Sequence, residues 1–361
     1  MIDLYNLSFA ALEAHIIAWS ESPAHARTLW KWLYRAYPAD FDNLPPTLSQ
    51  SLRARLPAET SLVIPAVVDS QSAPDGSTRK DLLQLADGER IEVVLMRYRH
   101  RHSACISTQV GCACGCRFCA TGQMGFTRQL SAGEIVAQVV HAQRVLAATG
   151  KTLSNFVLMG MGEPLLNYDN TLDAIRRLCD PRGIGFVQRR ITLSTVGIVP
   201  GIERLAGEDL LINLAVSLHA ATDVVRDTLL PINRRYPLDD LCAALKRYTT
   251  TTQRHVMLEW VMIDGINDTP EQAEALIARF ARIPAHVNVI LLNPTPDYPE
   301  RPSSPQAVDA FITLLDRAGI PHTMRQRRGG TITAACGQLR QRALLKEPTL
   351  NISTDSTDGN G

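Results

Sequence analysis

From Cys105 onward, short apolar runs alternate with amphipathic stretches, and this rhythm restricts the possible folds more than any other feature of the chain. The runs CISTQV, NFVLMG, RITLST, LINLAVSLH, HVMLEWVMI and VNVILLN have strand length, and each is followed by a helical segment. Ser131 with Glu134 three positions later forms a capping-box signal for a helix ending near Gly150, and Pro270 stands where TPEQAEALIARFARI begins its helix. Six strand–helix units fall short of the eight of a closed barrel of ~250 residues. The expected fold is therefore α/β, a partial parallel barrel of (β/α)6 type, with ligands at the carboxyl ends of its strands.

The segments before Cys105 follow other patterns. HARTLWKWLYR places Leu29, Trp32 and Leu33 at i, i+3 and i+4, which predicts a small helical accessory domain over residues 1–75. Asp75-Gly76 and Asp87-Gly88 punctuate short apolar runs, predicting a strand and hairpin connector over 76–97. The core then covers 98–345, and the apolar-poor EPTLNISTDSTDGNG makes 346–361 a flexible tail. With 45% hydrophobic and 20% charged residues in 361, a largely disordered chain is excluded. Lys plus Arg (37) nearly balance Asp plus Glu (36), so any surface for a polyanion must be local. No run approaches the ~20 apolar residues of a membrane span, and MIDLYNLSFAALEAH lacks a basic start before a hydrophobic stretch, so a cytoplasmic location is expected.

Four of the eight cysteines, Cys112, Cys114, Cys116 and Cys119, crowd into GCACGCRFC. They are too close together to staple distant segments, so the loop reads as a metal site. Two readings are open. Four thiolates could hold tetrahedral zinc. Alternatively, Cys112, Cys116 and Cys119, spaced C-x3-C-x2-C with Phe118 before the last, could place three thiolates on one iron-sulfur cube.

The second pattern resembles the signature of radical S-adenosylmethionine enzymes. Together with VLMGMGEPLLNYDN, ITLSTVGIVPGI, SLHAATDVVRDTLLPINRRYPL and AACGQLR, it is similar to the RlmN and Cfr family of radical RNA methyltransferases over almost the whole chain. The resemblance implies a radical S-adenosylmethionine barrel, a 4Fe-4S cluster on Cys112, Cys116 and Cys119, and two S-adenosylmethionine molecules per turnover. It implies methylation of an adenosine in the peptidyl transferase centre of 23S ribosomal RNA, at carbon 2 (RlmN) or carbon 8 (Cfr). Carbon 2 is favoured only because the RlmN type is commoner. Transfer RNA is a second candidate substrate, and a small reductant such as flavodoxin or ferredoxin the implied electron donor.

An adenine ring carbon is not a nucleophile, so ordinary displacement of a methyl group cannot work. By the resemblance, Cys336 carries the methyl group as S-methylcysteine, and its thiomethylene radical adds to the ring. Cys105 then resolves the adduct through a transient disulfide with Cys336. Glu92 matches a family proton acceptor, although a strand glutamate facing water is the plainer reading. The resemblance also assigns S-adenosylmethionine binding to Gly162, Glu163, Ser194, Ser217, Leu218, His219 and Asn293, all near carboxyl ends of predicted strands. His219 could equally be a core histidine.

Acid-free, Arg-rich stretches surround both thiols: Arg97, Arg99, Arg101, Arg117 and Arg128 near Cys105, and Arg325, Arg327, Arg328, Arg340 and Arg342 near Cys336. Such charge would lower a thiol pKa and attract RNA phosphates. Trp30, Lys31, Trp32 and Tyr34 suggest stacking and phosphate contacts with RNA, although core packing explains Trp32 as well. Cys179 and Cys242 sit on helical patterns and read as core. A zinc-stabilised RNA-binding protein without catalysis stands as the competing function.

Overall fold

In the computed structural model, which describes residues 1–295, 297–325 and 338–340, the six anticipated runs become consecutive parallel strands of one sheet. Its members are β1 (Ala66–Ser72), β2 (Thr78–Gln84), β3 (Arg90–Arg97), β4 (His102–Cys105), β5 (Asn155–Leu158), β6 (Ile191–Thr195), β7 (Asn213–Ser217), β8 (Val256–Met262), β9 (Ala285–Leu291) and β10 (His322–Met324). Spatial order follows chain order throughout. Strands β1 to β4 pair antiparallel, and β4 to β10 pair parallel. The sheet ends on β1 and β10 among the described residues, as a partial barrel does. Strand β10, only three residues long and poorly buried, was not anticipated.

Helices α1 (Phe9–Ala18), α2 (Ala24–Arg35) and α3 (Gln50–Glu59) form the N-terminal module. The outer layer comprises α4 (Ala132–Ala147), α5 (Tyr168–Cys179), α6 (Val199–Ala206), α7 (Asp223–Leu229), α8 (Leu238–Thr252), α9 (Pro270–Phe280) and α10 (Pro305–Arg317). The expected capping box closes at the start of α4, where the Ser131 hydroxyl accepts from the Glu134 N–H and the Glu134 carboxylate from the Ser131 N–H. In α5 the buried residues Thr171, Leu172, Ile175 and Leu178 recur at helical spacing, so one stripe faces the sheet.

The N-terminal module docks on this outer layer. The Arg177 guanidinium donates to the Tyr5 carbonyl at 2.7 Å, Arg35 to the Gly183 and Pro181 carbonyls, and the Asn6 side chain accepts the Gly133 N–H at the start of α4. Trp30, Trp32 and Tyr34 are buried in the shared core, with Tyr34 tilted against Trp30 at 4.5 Å between centroids. This corrects the expectation that they stack on RNA: of that group only Lys31 is exposed. The hairpin also differs from expectation. Its first strand begins at Ala66, within the range assigned to the N-terminal module, and β1 to β3 continue the barrel sheet. The tail beyond 345, Cys336, Arg327, Arg328 and Arg342 lie outside the described residues.

Candidate active site

After β4 the chain forms a two-strand ribbon, Gln109–Gly111 against Phe126–Gln129, which folds the cysteine loop back across the carboxyl ends of the parallel strands. The turn needs glycine at 111. Its φ is +76°, and a Cβ there would lie 2.0 Å from the Gly125 carbonyl oxygen. Gly162, with φ +99°, likewise lets the loop after β5 pass within a Cβ's reach of Gln109. The Glu163 N–H then donates to the Gln109 side-chain oxygen at 2.8 Å.

These loops enclose a cavity of about 330 Å³. Cys112, Cys116 and Cys119 line one side with Phe118, and Gly162, Glu163, Ser194, Ser217, His219 and Asn293 line it as well. Leu218 does not: its side chain is fully buried in the core, while its N–H donates to the Glu259 carbonyl. Cys114 is also absent from the cavity wall, and its thiol is hydrogen-bonded to that of Cys112. Cys179 and Cys242 are partly buried against the core, as expected.

Burial shifts two ionisable groups on the wall in characteristic directions. Burial raises the Glu163 carboxyl pKa to about 7, while its two oxygens accept the N–H groups of Leu165 (3.0 Å) and Val196 (2.8 Å). Glu163 therefore ties together the loops after β5 and β6. His219 is neutral, its pKa pulled down to about 3 by burial and secondarily by Arg226. Its Nδ1 accepts the Val261 N–H at 3.0 Å, which leaves the proton on Nε2 as a donor. Its ring meets Phe118 edge-on at 4.9 Å. His219 is thus a buried, bonded histidine that also stands on the cavity wall.

Two residues at the site had no signal in the sequence. Glu259 on β8 lines the cavity; its carboxylate accepts from the Asn288 amide at 2.9 Å and lies 3.5 Å from the Arg325 guanidinium. Arg226 on α7 is fully buried and donates to the carbonyls of Val196, Ser217 and Leu218 and to the Asn233 side chain. It joins the loops after β6 and β7 beneath the cavity.

Cys105 and Glu92 lie on the sheet face that carries the cavity, and Cys336 lies outside the described residues. Across the sheet, Lys80, Val94, Cys105, Val157 and Thr192 form one register row. Side chains alternate faces, so Ser194, two residues beyond Thr192 and on the cavity wall, shares that face with Cys105. Glu92, two residues before Val94, also shares it and does not face water. It is 2% exposed, pairs with the fully buried Lys80 at 3.1 Å, and accepts the Arg340 N–H at 2.8 Å. The Gln338 amide donates to the Pro294 carbonyl, next to Asn293 on the wall. The chain two residues past Cys336 is therefore held at the cavity.

The basic stretches are arranged differently from expectation. Arg97, Arg99 and Arg101 occupy the β3–β4 turn at the amino end of β4, away from the cavity. Arg128 is bound to Glu134 and Asp87, Arg340 to Glu89 and Arg325 to Glu259. Paired arginines of this kind do not present free charge to RNA or to a thiol.

Cys112, Cys116 and Cys119 fit the three-thiolate set of a cluster, since they share the wall of one cavity with acceptors suited to an ammonium group. The Thr121 hydroxyl on that wall is buried without a partner, as expected where a cofactor supplies one. Replacing any of these three cysteines by Ala is expected to abolish iron binding, whereas Cys114→Ala retains it. Iron content per chain after anaerobic purification checks this, and loss of iron in Cys114→Ala with retention in Cys112→Ala would overturn the ligand set.

Residues 106–280 match the radical SAM superfamily, and residues 2–62 the ribosomal RNA large subunit methyltransferase N-terminal domain. The chain is 49% identical over 338 residues to the dual-specificity RNA methyltransferase RlmN 1 of Myxococcus xanthus, covering 94% of each. It is 43% identical over 341 residues to the dual-specificity RNA methyltransferase RlmN of Magnetococcus marinus, covering 94% and 95% of the two chains. The crystal structure of a radical SAM methyltransferase from Sphaerobacter thermophilus superposes with a TM-score of 0.90 at 46% identity, over 94% of this chain and 99% of that one. A zinc-stabilised protein without catalysis is set aside by these matches. Similarity at this level along nearly the whole length, with both regions present in order, shows that the chain belongs to the RlmN family of radical S-adenosylmethionine RNA methyltransferases.

Proposed function

We propose that the protein methylates carbon 2 of an adenosine in the peptidyl transferase centre of 23S ribosomal RNA, with transfer RNA as a second substrate, through a methyl group carried on Cys336. The observation that carries this reading is the placement of Gln338 and Arg340, just past Cys336, against Pro294 and Glu92. That contact supports the reading because the chain from Gln338 to Arg340 is bonded on the face that holds Cys105.

When bound, the 4Fe-4S cluster and S-adenosylmethionine supply a carbon radical able to take hydrogen from a methyl group. Cys112, Cys116 and Cys119 would hold the cluster. Glu163 and the glycine loop before it suit an ammonium group, and the Nε2–H of His219 is a donor fixed by its other nitrogen. Ser194, Ser217 and Asn293 offer short hydrogen-bonding side chains to the rest of the cofactor.

Cys105 is the resolving thiol in this reading. Glu92 is more constrained than a free proton acceptor, because one carboxylate oxygen receives the Arg340 N–H and the other faces the Lys80 ammonium. Its first task is to anchor the segment after Cys336. Proton acceptance would require one of those donors to withdraw. A small acidic electron carrier of the flavodoxin or ferredoxin kind would reduce the cluster, and the enzyme would work in the cytoplasm. Among the described residues no helix is long and apolar enough to cross a membrane.

Mass spectrometry of nucleosides from 23S ribosomal RNA and transfer RNA, isolated from cells with and without the gene, tests the proposal. Loss and restoration of 2-methyladenosine are expected in both RNAs. Appearance of 8-methyladenosine instead would move the chain to Cfr-type chemistry, and no change in either nucleoside would refute the substrate reading.

A further inference from the structure

The end of the barrel opposite the cavity carries charge that the reaction does not use. Parallel strands enter there, and the segments leading into them contribute Arg99, Arg101, Lys151, Arg189, Arg190 and Arg282, all exposed. None of the six has an acidic partner among the described residues.

Hydrogen bonds show that most of this rim is continuous. Ser154, three residues past Lys151, exchanges hydrogen bonds with His102 at the base of the Arg99–Arg101 turn. One strand further, the Asn213 amide donates to the Arg189 carbonyl, and Arg254 donates to the Asn213 side chain. Arg101 lies over the Tyr98 ring at 4.6 Å, which fixes its direction. Val187 (54% exposed) and Leu211 (47% exposed) stand among the arginines. Most acids at this end are already matched: Asp75 lies beside Arg97, Asp180 is bonded to Arg182, Glu208 to Arg176 and Tyr168, and Asp316 lies 3.8 Å from His322, while Asp209 is exposed.

On a chain of net charge +1, such an excess at one end means charge has been segregated. The plainest explanation is that cations offset the negative carboxyl ends of helices. It suits Lys151 and Arg282, which follow α4 and α9. It does not suit Arg99 and Arg101 on a β-turn, or Arg189 and Arg190 just ahead of β6.

We propose that this rim is a second RNA-binding surface, which holds phosphates of the substrate's backbone while the target adenosine occupies the cavity at the other end. The inference rests on the RNA substrate proposed above. Arginines spaced along a rim, with an aromatic and apolar residues between them, match a phosphate backbone better than a compact anion. The span is suitable: the seven residues of β8 rise about 23 Å along the barrel, so an RNA stem lying along its side can reach both ends. An acidic protein would be the other class of partner, and the test separates the two.

The experiment measures the Kd of the full-length holoenzyme for two transcripts made in vitro, the peptidyl transferase centre region of 23S ribosomal RNA and an unmodified transfer RNA, across a series of KCl concentrations. The wild type is compared with Arg99→Glu/Arg101→Glu/Arg189→Glu/Arg190→Glu. These side chains are on the surface, so unchanged iron content and thermal unfolding certify the fold. Four lost phosphate contacts should make the slope of log K against log[KCl] shallower by about 3 and raise Kd at least about tenfold near 0.1 M salt, with KM for RNA rising in step. Equal Kd and slope in the two proteins would show a solvated rim and overturn the proposal. So would unchanged RNA affinity with weakened binding of a flavodoxin, which would make the rim a protein-docking face. A wild type that binds neither transcript overturns the substrate reading first, and this surface with it.

Discussion

Cys105→Ala is expected to accumulate a covalent protein–RNA species during reaction, whereas Cys336→Ala forms none. The two thiols act at opposite ends of the proposed cycle. Without Cys336 no methyl group is accepted and no carbon bridge to adenine can arise. Without Cys105 the bridge from the Cys336 sulfur through the methylene carbon to the ring carbon can form but has no internal means of release. Release requires the ring, once it has given up its unpaired electron, to lose the hydrogen of the substituted carbon as a proton to a base, and the Cys105 thiolate to attack the Cys336 sulfur: an S–S bond forms, the S–CH2 bond breaks with its electron pair going to carbon, and that carbon takes up a proton as the methyl group. The structure supports such an encounter from one side. Cys105 ends β4 on the face shared with Ser194, and the chain after Cys336 is held by Glu92 on that same face. The adduct should survive denaturation in a gel of labelled RNA, and disappear on nuclease digestion to leave one modified nucleotide on Cys336 by mass spectrometry. Normal multiple turnover by Cys105→Ala with no adduct would reduce Cys105 to a core thiol and remove the resolving step.

The contrast between what the residues announced and what they concealed follows from how each signal is written in the chain. Strands such as LINLAVSLH are legible because central parallel strands are covered on both faces, and Leu214, Ala215 and Val216 are all fully buried. The cysteine loop is legible because ligands for one centre must be close in sequence when a single short loop supplies them. Glu259 and Lys80 were missed for the opposite reason. An isolated charge in a strand ordinarily reads as pointing to solvent, but here the inner face of the barrel is the polar one, and pattern alone does not tell inside from outside. Arg226 looked like any arginine on a polar helix, and only the fold brings three carbonyls to it.

Linear proximity misled in the basic runs. Arg101 is four residues from Cys105, but along an extended strand that is about 13 Å toward the far end of the barrel. The N-terminal aromatics misled for another reason. Trp30, Trp32 and Tyr34 are amphipathic, and both a base-stacking platform and a core use such rings. Docking of the module against Gly183 and Pro181 decided for the core.

Lys80→Met is expected to lose about 3–5 kcal/mol of stability, because it breaks a buried ion pair by removing the ammonium 3.1 Å from the Glu92 carboxylate. Lys80 is fully buried and Glu92 is 2% exposed, 3.1 Å from it, so solvent cannot compensate the remaining charge. The pair itself need not be a large net source of stability: two charges removed from water cost several kcal/mol each before their attraction is counted. Glu92→Gln should therefore also destabilise, by removing the charge that faces the buried ammonium, although its amide oxygen can still accept the Arg340 N–H. The double variant Lys80→Met/Glu92→Gln, which removes both charges at similar volume, should recover most of the loss. Urea unfolding of all three variants measures this coupling. Hydrogen exchange at Arg340 reads the second consequence: Glu92→Ala, which removes the acceptor, should lose protection there, while Glu92→Gln keeps much of it. If both single variants unfold within about 0.5 kcal/mol of the wild type, the two charges are solvated in solution and Glu92 cannot be the buried anchor of the segment that follows Cys336.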